Sequence, residues 1–139
     1  MPYRIQTSCI GCSLCKKICP VDAIRGLAKK LHVIDADRCI DCGACGRICP
    51  QEAVLDAAGV ACRRTRIRSR WPKPLFDLQH CAACGVCIEV CPVSCLEFSR
   101  ECGSRATVRY PLLQHRQSCI ACGFCAADCP LDAIKMDDA

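Results

Sequence analysis

The apolar residues of this chain occur in short clusters separated by cysteines, charges and prolines. These clusters predict five short strands, at 3–6, 31–34, 75–78, 95–98 and 106–110. Because proline fits the first position of a helix, the prolines predict short helices at 20–24, 50–54 and 130–134, with a further helical turn from Pro92. The pattern therefore predicts an α+β chain in which a small set of elements repeats.

One cysteine spacing occurs four times between these elements. Each copy reads C-x2-C-x2-C-x3-C-P, and the copies together use 16 of the 19 cysteines. They comprise Cys9, Cys12, Cys15 and Cys19; Cys39, Cys42, Cys45 and Cys49; Cys81, Cys84, Cys87 and Cys91; and Cys119, Cys122, Cys125 and Cys129. This spacing is the bacterial signature for a [4Fe–4S] cluster, so we expect four such clusters.

Disulfides and structural zinc are the alternative uses of so many cysteines. The cysteine count is odd, and residues 1–4 lack the apolar stretch of a signal peptide, which argues against a secreted disulfide framework. Structural zinc usually takes C-x2-C pairs from two places in a chain, whereas here three thiols fall within seven residues. Iron–sulfur ligation is therefore the favoured interpretation.

Composition and charge point the same way. The apolar fraction of 52% includes the 19 cysteines, and without them it is about 38% of the 139 residues, below the usual share for a globular domain. Bound metal can supply the stability that so small an apolar core lacks. The formal charge of +5 counts cysteines as neutral, and four clusters at about −2 each would bring it to about −3.

We expect a soluble, cytoplasmic protein. No apolar run approaches the roughly 18 residues that a membrane-spanning helix requires. Thiols also stay reduced in the cytoplasm, which suits cysteines that bind metal.

The first half resembles a clostridial-type two-cluster ferredoxin. The resemblance rests on Tyr3, the first motif with Pro20 and Val21, Ile34 to Asp37, and the start of the second motif at 39–43. The second half is similar but has a longer insert between its motifs. The whole chain thus resembles a polyferredoxin, with one ferredoxin-like unit at 1–57, an Arg/Pro-rich linker at 58–74 and a second unit at 75–139.

The resemblance implies which cysteines share a cluster. In two-cluster ferredoxins the fourth cysteine of each run binds the cluster of the other run. Carried over to this chain, the four ligand sets are Cys9, Cys12, Cys15 and Cys49; Cys39, Cys42, Cys45 and Cys19; Cys81, Cys84, Cys87 and Cys129; and Cys119, Cys122, Cys125 and Cys91. A nested scheme, in which inner motifs pair together and outer motifs pair together, is the alternative known from iron–sulfur subunits of molybdopterin oxidoreductases.

Glycines follow the second cysteine in three motifs, at Gly43, Gly85 and Gly123, whereas the first motif has Ser13. Glycine permits a positive φ and lets backbone N–H groups approach the sulfurs. Cys62, Cys95 and Cys102 are left without an assigned role. The three histidines are expected to be ordinary surface or packing residues, although His80 could influence the neighbouring cluster.

The expected function is one-electron transfer without catalysis, because cysteines fill every ligand position of the clusters. The resemblance implies a wire subunit of an oxidoreductase complex, such as a hydrogenase, formate dehydrogenase or tungsten enzyme. A free carrier, an enzyme using one cluster catalytically and self-association into a filament are alternatives. An arginine-rich segment could dock an acidic redox partner, and nucleic acid is not an expected partner. Its cations are Arg63, Arg64, Arg66, Arg68 and Arg70.

Overall fold

The computed structural model describes residues 3–99 and 109–137. The chain divides into two compact units, which we call unit 1, Met1–Arg68, and unit 2, Ser69–Ala139. The elements in each are short helices and two-stranded antiparallel pairs, as the sequence predicts. In the described ranges, no helix has the length and apolar character needed to cross a membrane.

Unit 1 consists of two strand pairs and two helices. Strand β1, Arg4–Ile5, pairs with β4, Val54–Leu55, and β2, Ile24–Arg25, pairs with β3, Val33–Ile34. Helices α1, Leu14–Ile18, and α2, Ala44–Ile48, pack against each other. Each strand pair places an isoleucine or valine of one strand opposite an apolar residue of the other, so both pairs direct apolar side chains into the unit.

Unit 2 repeats this arrangement with longer strands. Strand β5, Lys73–Phe76, pairs with β8, Ile134–Asp137, and β6, Leu96–Phe98, pairs with β7, Pro111–Leu113. Helices α3, Val86–Val90, and α4, Phe124–Ala127, are in contact. Two 3-10 turns, Arg68–Arg70 and Arg116–Ser118, complete the described elements.

Cysteines make up much of the small core of each unit. The core of unit 1 is formed by Cys15, Ile24, Cys45 and Val54. The core of unit 2 is formed by Cys87, Cys95, Leu96, Cys119, Cys125 and Ile134. Few large apolar side chains are buried in either unit, which agrees with the low apolar content of the sequence.

The prediction of helices beginning at the prolines is wrong. Residues 20–24, 50–54 and 130–134 form turns that lead into strands, and Pro92 also lies in a turn. The helices instead lie within the cysteine motifs and end at or before the fourth cysteine. A residue that precedes proline is disfavoured in the α conformation. Accordingly, Cys19 and Cys49 are extended, with ψ of 117° and 118°.

The expected strand at 106–110 lies largely outside the described residues, and its two described residues, 109 and 110, are not in a strand. The observed partner of β6 is β7, Pro111–Leu113. The segment expected as a linker begins as part of unit 1. There, Cys62 N–H donates to the Val54 carbonyl at 2.8 Å and Thr65 N–H donates to the Arg47 carbonyl at 3.0 Å.

The loop that carries the first cysteines is tightly packed at Gly11. Its φ is +70°, and an added Cβ would lie 2.4 Å from the backbone nitrogen of Lys30. Gly59 also has a positive φ, +83°, but an added Cβ there would meet no atom within 4 Å. We predict that Gly59→Ala costs about 1–2 kcal/mol for its left-handed backbone and that Gly11→Ala costs clearly more.

Urea unfolding of anaerobically purified protein, followed by far-UV circular dichroism, measures both costs. Gly59→Ala is the matched control, since it changes the same atoms at the same kind of φ without the backbone clash. Equal destabilisation by the two variants would contradict the packing of the Gly11 loop against Lys30.

Candidate iron–sulfur centres

Four cavities, which we name I to IV, are each lined by four motif cysteines. Cavity I is lined by Cys9, Cys12, Cys15 and Cys49; cavity II by Cys19, Cys39, Cys42 and Cys45; cavity III by Cys81, Cys84, Cys87 and Cys129; and cavity IV by Cys91, Cys119, Cys122 and Cys125. The volumes of cavities I to IV, including the space that is open to solvent, are 330, 330, 350 and 310 Å³. The four cavities are therefore similar in size.

The fourth cysteine of each motif lines the cavity of the other motif in its unit. Cys19 belongs to the first motif but lines cavity II, and Cys49 belongs to the second motif but lines cavity I. Cys91 and Cys129 are exchanged in the same way in unit 2. Each cavity is therefore built from two distant segments of its unit.

Left-handed backbone residues shape the loop around each cavity. The expected positive φ is present at Gly43, Gly85 and Gly123, with values of 76° to 79°, and Ser13 adopts the same conformation at 64°. The residue before the second cysteine is also left-handed in every motif, a feature that the sequence alone did not reveal. These residues are Gly11, Asp41, Ala83 and Ala121. Successive turns of this kind direct backbone N–H groups into a concavity that favours negative charge.

Backbone N–H groups donate to cysteine sulfurs. The N–H groups of Gly11 and Ala83 lie 3.4 Å from the Sγ atoms of Cys9 and Cys81. A second set uses the alanine four residues after the fourth cysteine, where each N···Sγ distance is 3.3 Å. Its pairs are Ala23 with Cys19, Ala53 with Cys49, and Ala133 with Cys129. Such donors stabilise negative charge on sulfur.

The third cysteine of each motif is buried in its unit. Burial raises the pKa of the thiol to about 11 for Cys15 and to about 12 for Cys45 and Cys125, and it raises the pKa of Cys87 as well. These thiols therefore favour their neutral form until a cation replaces the proton. Iron binding must release these protons, and it becomes more favourable as pH rises.

The donor set of each cavity fits a [4Fe–4S] cluster. Such a cluster requires four cysteine thiolates, and four thiols line each cavity. The 18 cysteines in the described ranges all carry free thiols. Within those ranges, no three Cys, His, Asp or Glu side chains meet the geometry for a single metal ion.

The cavities differ in the side chains that accompany the cysteines. Cavity I contains Ser13 and His32, whose Oγ and Nε2 atoms are 3.1 Å apart, and the His32 side chain is buried. Cavity II contains Tyr3, whose hydroxyl would lie 3.1 Å from a Cβ added at Gly43. His32 is therefore a packing residue that borders a site, a position that its place in the sequence did not indicate.

Cavity IV contains a fifth cysteine. Cys95 is 2% exposed, and its Sγ lies 3.5 Å from the Sγ of Cys91. The pKa of Cys95 is raised, first by its side-chain hydrogen bond with Cys119 and then by burial. Lys73 is also buried beside this cavity, where its Nζ donates to the Cys119 carbonyl at 3.1 Å.

The remaining sequence candidates lie away from the cavity linings. His80 is exposed and forms a 2.6 Å hydrogen bond with the carboxylate of Asp77, which lowers the pKa of that carboxyl group. Cys62 packs against Gly46, where an added Cβ would lie 2.5 Å from the Cys62 Cβ. Cys102 lies outside the described residues.

Three family models match segments of the chain. A model of a 4Fe-4S dicluster domain matches residues 3–57, which contain the first two motifs. A second 4Fe-4S dicluster model matches residues 38–95, which contain the second and third motifs. A model of a 4Fe-4S binding domain matches residues 115–135, around the fourth motif.

Curated relatives resemble only a short part of the chain. It is 59% identical over 32 residues to a protein from Thiobacillus denitrificans that is named as one subunit of an ion-translocating oxidoreductase complex, covering 23% of this chain and 17% of the relative. Proteins of the same name are 53% identical over 32 residues in Azoarcus sp. and 49% identical over 35 residues in Pseudomonas aeruginosa. These alignments cover 23% and 25% of this chain, and 18% and 19% of those relatives.

A solved structure of a formate dehydrogenase – heterodisulfide reductase – formylmethanofuran dehydrogenase complex from Methanospirillum hungatei aligns with a TM-score of 0.46 and 20% identity. The alignment covers 99% of this chain and 53% of the other.

The family matches, which together cover more than half of the chain, agree with the motif spacing and with the cysteine-lined cavities. The chain therefore carries 4Fe–4S domains of the ferredoxin type, at residues 3–95 and 115–135.

Proposed function

We propose that this protein transfers electrons one at a time through four [4Fe–4S] clusters, one in each cavity. The observation that carries the proposal is the set of four cysteines that lines every cavity. A bound [4Fe–4S] cluster supplies a centre that gains and loses one electron. The chain supplies the thiolates, the surrounding N–H donors and an apolar wall.

The proposed ligand sets are the four groups of cysteines named above for cavities I to IV. This assignment pairs the first motif with the second and the third motif with the fourth, as in a tandem pair of ferredoxins. The exchange of Cys19 with Cys49, and of Cys91 with Cys129, supports it. The dicluster model that matches 38–95 spans the second and third motifs, as the nested scheme would. We favour the tandem pairing, because the cavity linings bring specific cysteine side chains together, whereas the family match does not assign cysteines to a cluster.

The cysteines leave no coordination position for a substrate. Four thiolates satisfy the four irons of one cluster, so an electron can enter or leave without any group binding to iron. The N–H donors at Cys9, Cys19 and Cys49 stabilise the extra negative charge of the reduced state. These contacts support the role of an electron carrier over that of an enzyme.

We further propose that the chain works within an oxidoreductase complex in the reducing cytoplasm. Its matched relatives are named as subunits of ion-translocating oxidoreductase complexes, which supports a complex over a free carrier. The arginine segment suits contact with an acidic surface of a redox-enzyme partner. Its five exposed arginines are Arg63, Arg64, Arg66, Arg68 and Arg70.

Anaerobically purified full-length protein tests the proposed function. We predict about 16 iron and 16 sulfide ions per chain, because each of four clusters holds four of each. A titration with dithionite, followed by electron paramagnetic resonance, should show clusters that reduce and reoxidise. A zinc-containing or colourless protein, or clusters that never change redox state, would rule out the proposed function.

The tandem pairing is tested with a fragment that contains residues 1–68. If the first two motifs share two clusters, the fragment should bind about eight iron and eight sulfide ions, since all eight ligands are present. The matched control is the same fragment with Cys19→Ala, which should lose the cluster of cavity II and hold about four iron ions. A fragment that fails to assemble two clusters, under conditions in which the 139-residue protein assembles four, would favour nested pairing instead.

A further inference from the structure

Cys95 belongs to none of the four cysteine motifs, yet it lies inside cavity IV. It lines cavity IV together with Cys91 and Cys119, and only 2% of it is exposed. Its Sγ is 3.5 Å from the Sγ of Cys91, which is within the range of a sulfur hydrogen bond. The four proposed ligands of this cavity are already complete without it, so Cys95 is available for another role.

The internal repeat shows what is unusual about this position. The residue four positions after the fourth cysteine of a motif is Ala23, Ala53 or Ala133 in the other three motifs. Each of these alanines is at most 2% exposed, so the position is buried throughout. Only the third motif places a thiol there, and the equivalent side chains elsewhere are methyl groups without a donor.

We propose that Cys95 tunes the potential of the cluster in cavity IV by donating its S–H to a ligand thiolate, and that the main acceptor is Cys91. This inference rests on the proposed function. A cysteine that binds no metal keeps its proton at neutral pH, whereas thiolates bound to iron can only accept. The donor is therefore Cys95, which acts through the ligands and does not replace them.

The direction of the effect follows from charge. Reduction adds one negative charge to the cluster and its sulfurs, so a donor on a sulfur stabilises the reduced state more than the oxidised state. Lys73 is also buried beside this cavity, but its Nζ donates to the backbone carbonyl of Cys119 and is therefore directed at the backbone. The Cys95 donor should therefore raise the potential of the cluster in cavity IV above the value it would have without that donor.

Two substitutions in the full-length protein test the role of Cys95. Cys95→Ala gives this motif the residue that the other three carry, and Cys95→Ser keeps a donor at the same position. Cys62→Ala is the matched control, since it also removes a thiol that is not a proposed ligand, but from unit 1. Iron and sulfide content, visible absorbance and an EPR-monitored redox titration are measured for the wild-type protein and the three variants.

We predict that Cys95→Ala keeps the full iron content and lowers the midpoint of one cluster. A tenfold fall in its reduction equilibrium corresponds to about 59 mV for one electron. Cys95→Ser should hold this midpoint at or above the wild-type value, and Cys62→Ala should change none. A purely structural thiol would affect stability without this dependence on a donor.

Three results would overturn the inference. They are unchanged midpoints in Cys95→Ala, an equal shift in Cys95→Ser, and loss of iron in Cys95→Ala, which would make Cys95 a ligand. Failure of the proposed function would look different, because the wild-type protein would then lack four redox-active clusters before any substitution is made.

Discussion

The constraint on which this structure depends is the convergence of four cysteine side chains on one cavity. In each unit the fourth cysteine of one motif crosses to the cavity of the other, so neither motif completes its site alone. The apolar core is too small to explain the fold by itself, since cysteines make up much of it. Bonds between thiolates and iron would tie the distant segments of each unit together and supply folding energy directly.

The convergence of four cysteines on each cavity also accounts for the local backbone conformation. Left-handed residues on both sides of the second cysteine turn the loop around the cavity, and the proline after the fourth cysteine ends the helix so that this cysteine can extend toward the neighbouring site. The repeat is not uniform, however. Cavity I has Ser13 and His32, whereas cavity IV has Cys95 and Lys73. If the cavities hold clusters, as proposed, differences of this kind would give chemically identical clusters different potentials.

Much of the candidate site could be predicted from the sequence because the repeated spacing marks the 16 cysteines that line the four cavities. Which motifs share a cavity was implied by the resemblance to two-cluster ferredoxins. The positions of Gly43, Gly85 and Gly123 also indicated a positive φ correctly. The helices do not begin at the prolines because proline also restricts the residue before it, and that restriction ends each of the first two helices before the fourth cysteine of its motif. The position of Cys95 becomes meaningful only when the motifs are aligned, because Ala23, Ala53 and Ala133 then stand at the equivalent places.

Removing iron shows whether metal–thiolate bonds hold the units folded. An anaerobic chelator titration of the full-length protein would follow visible absorbance, for the clusters, and far-UV circular dichroism, for the strands and helices, in one sample. We predict that both signals disappear together, since the residual apolar core cannot hold the units folded. Complete loss of the cluster absorbance with an unchanged dichroism spectrum would contradict it.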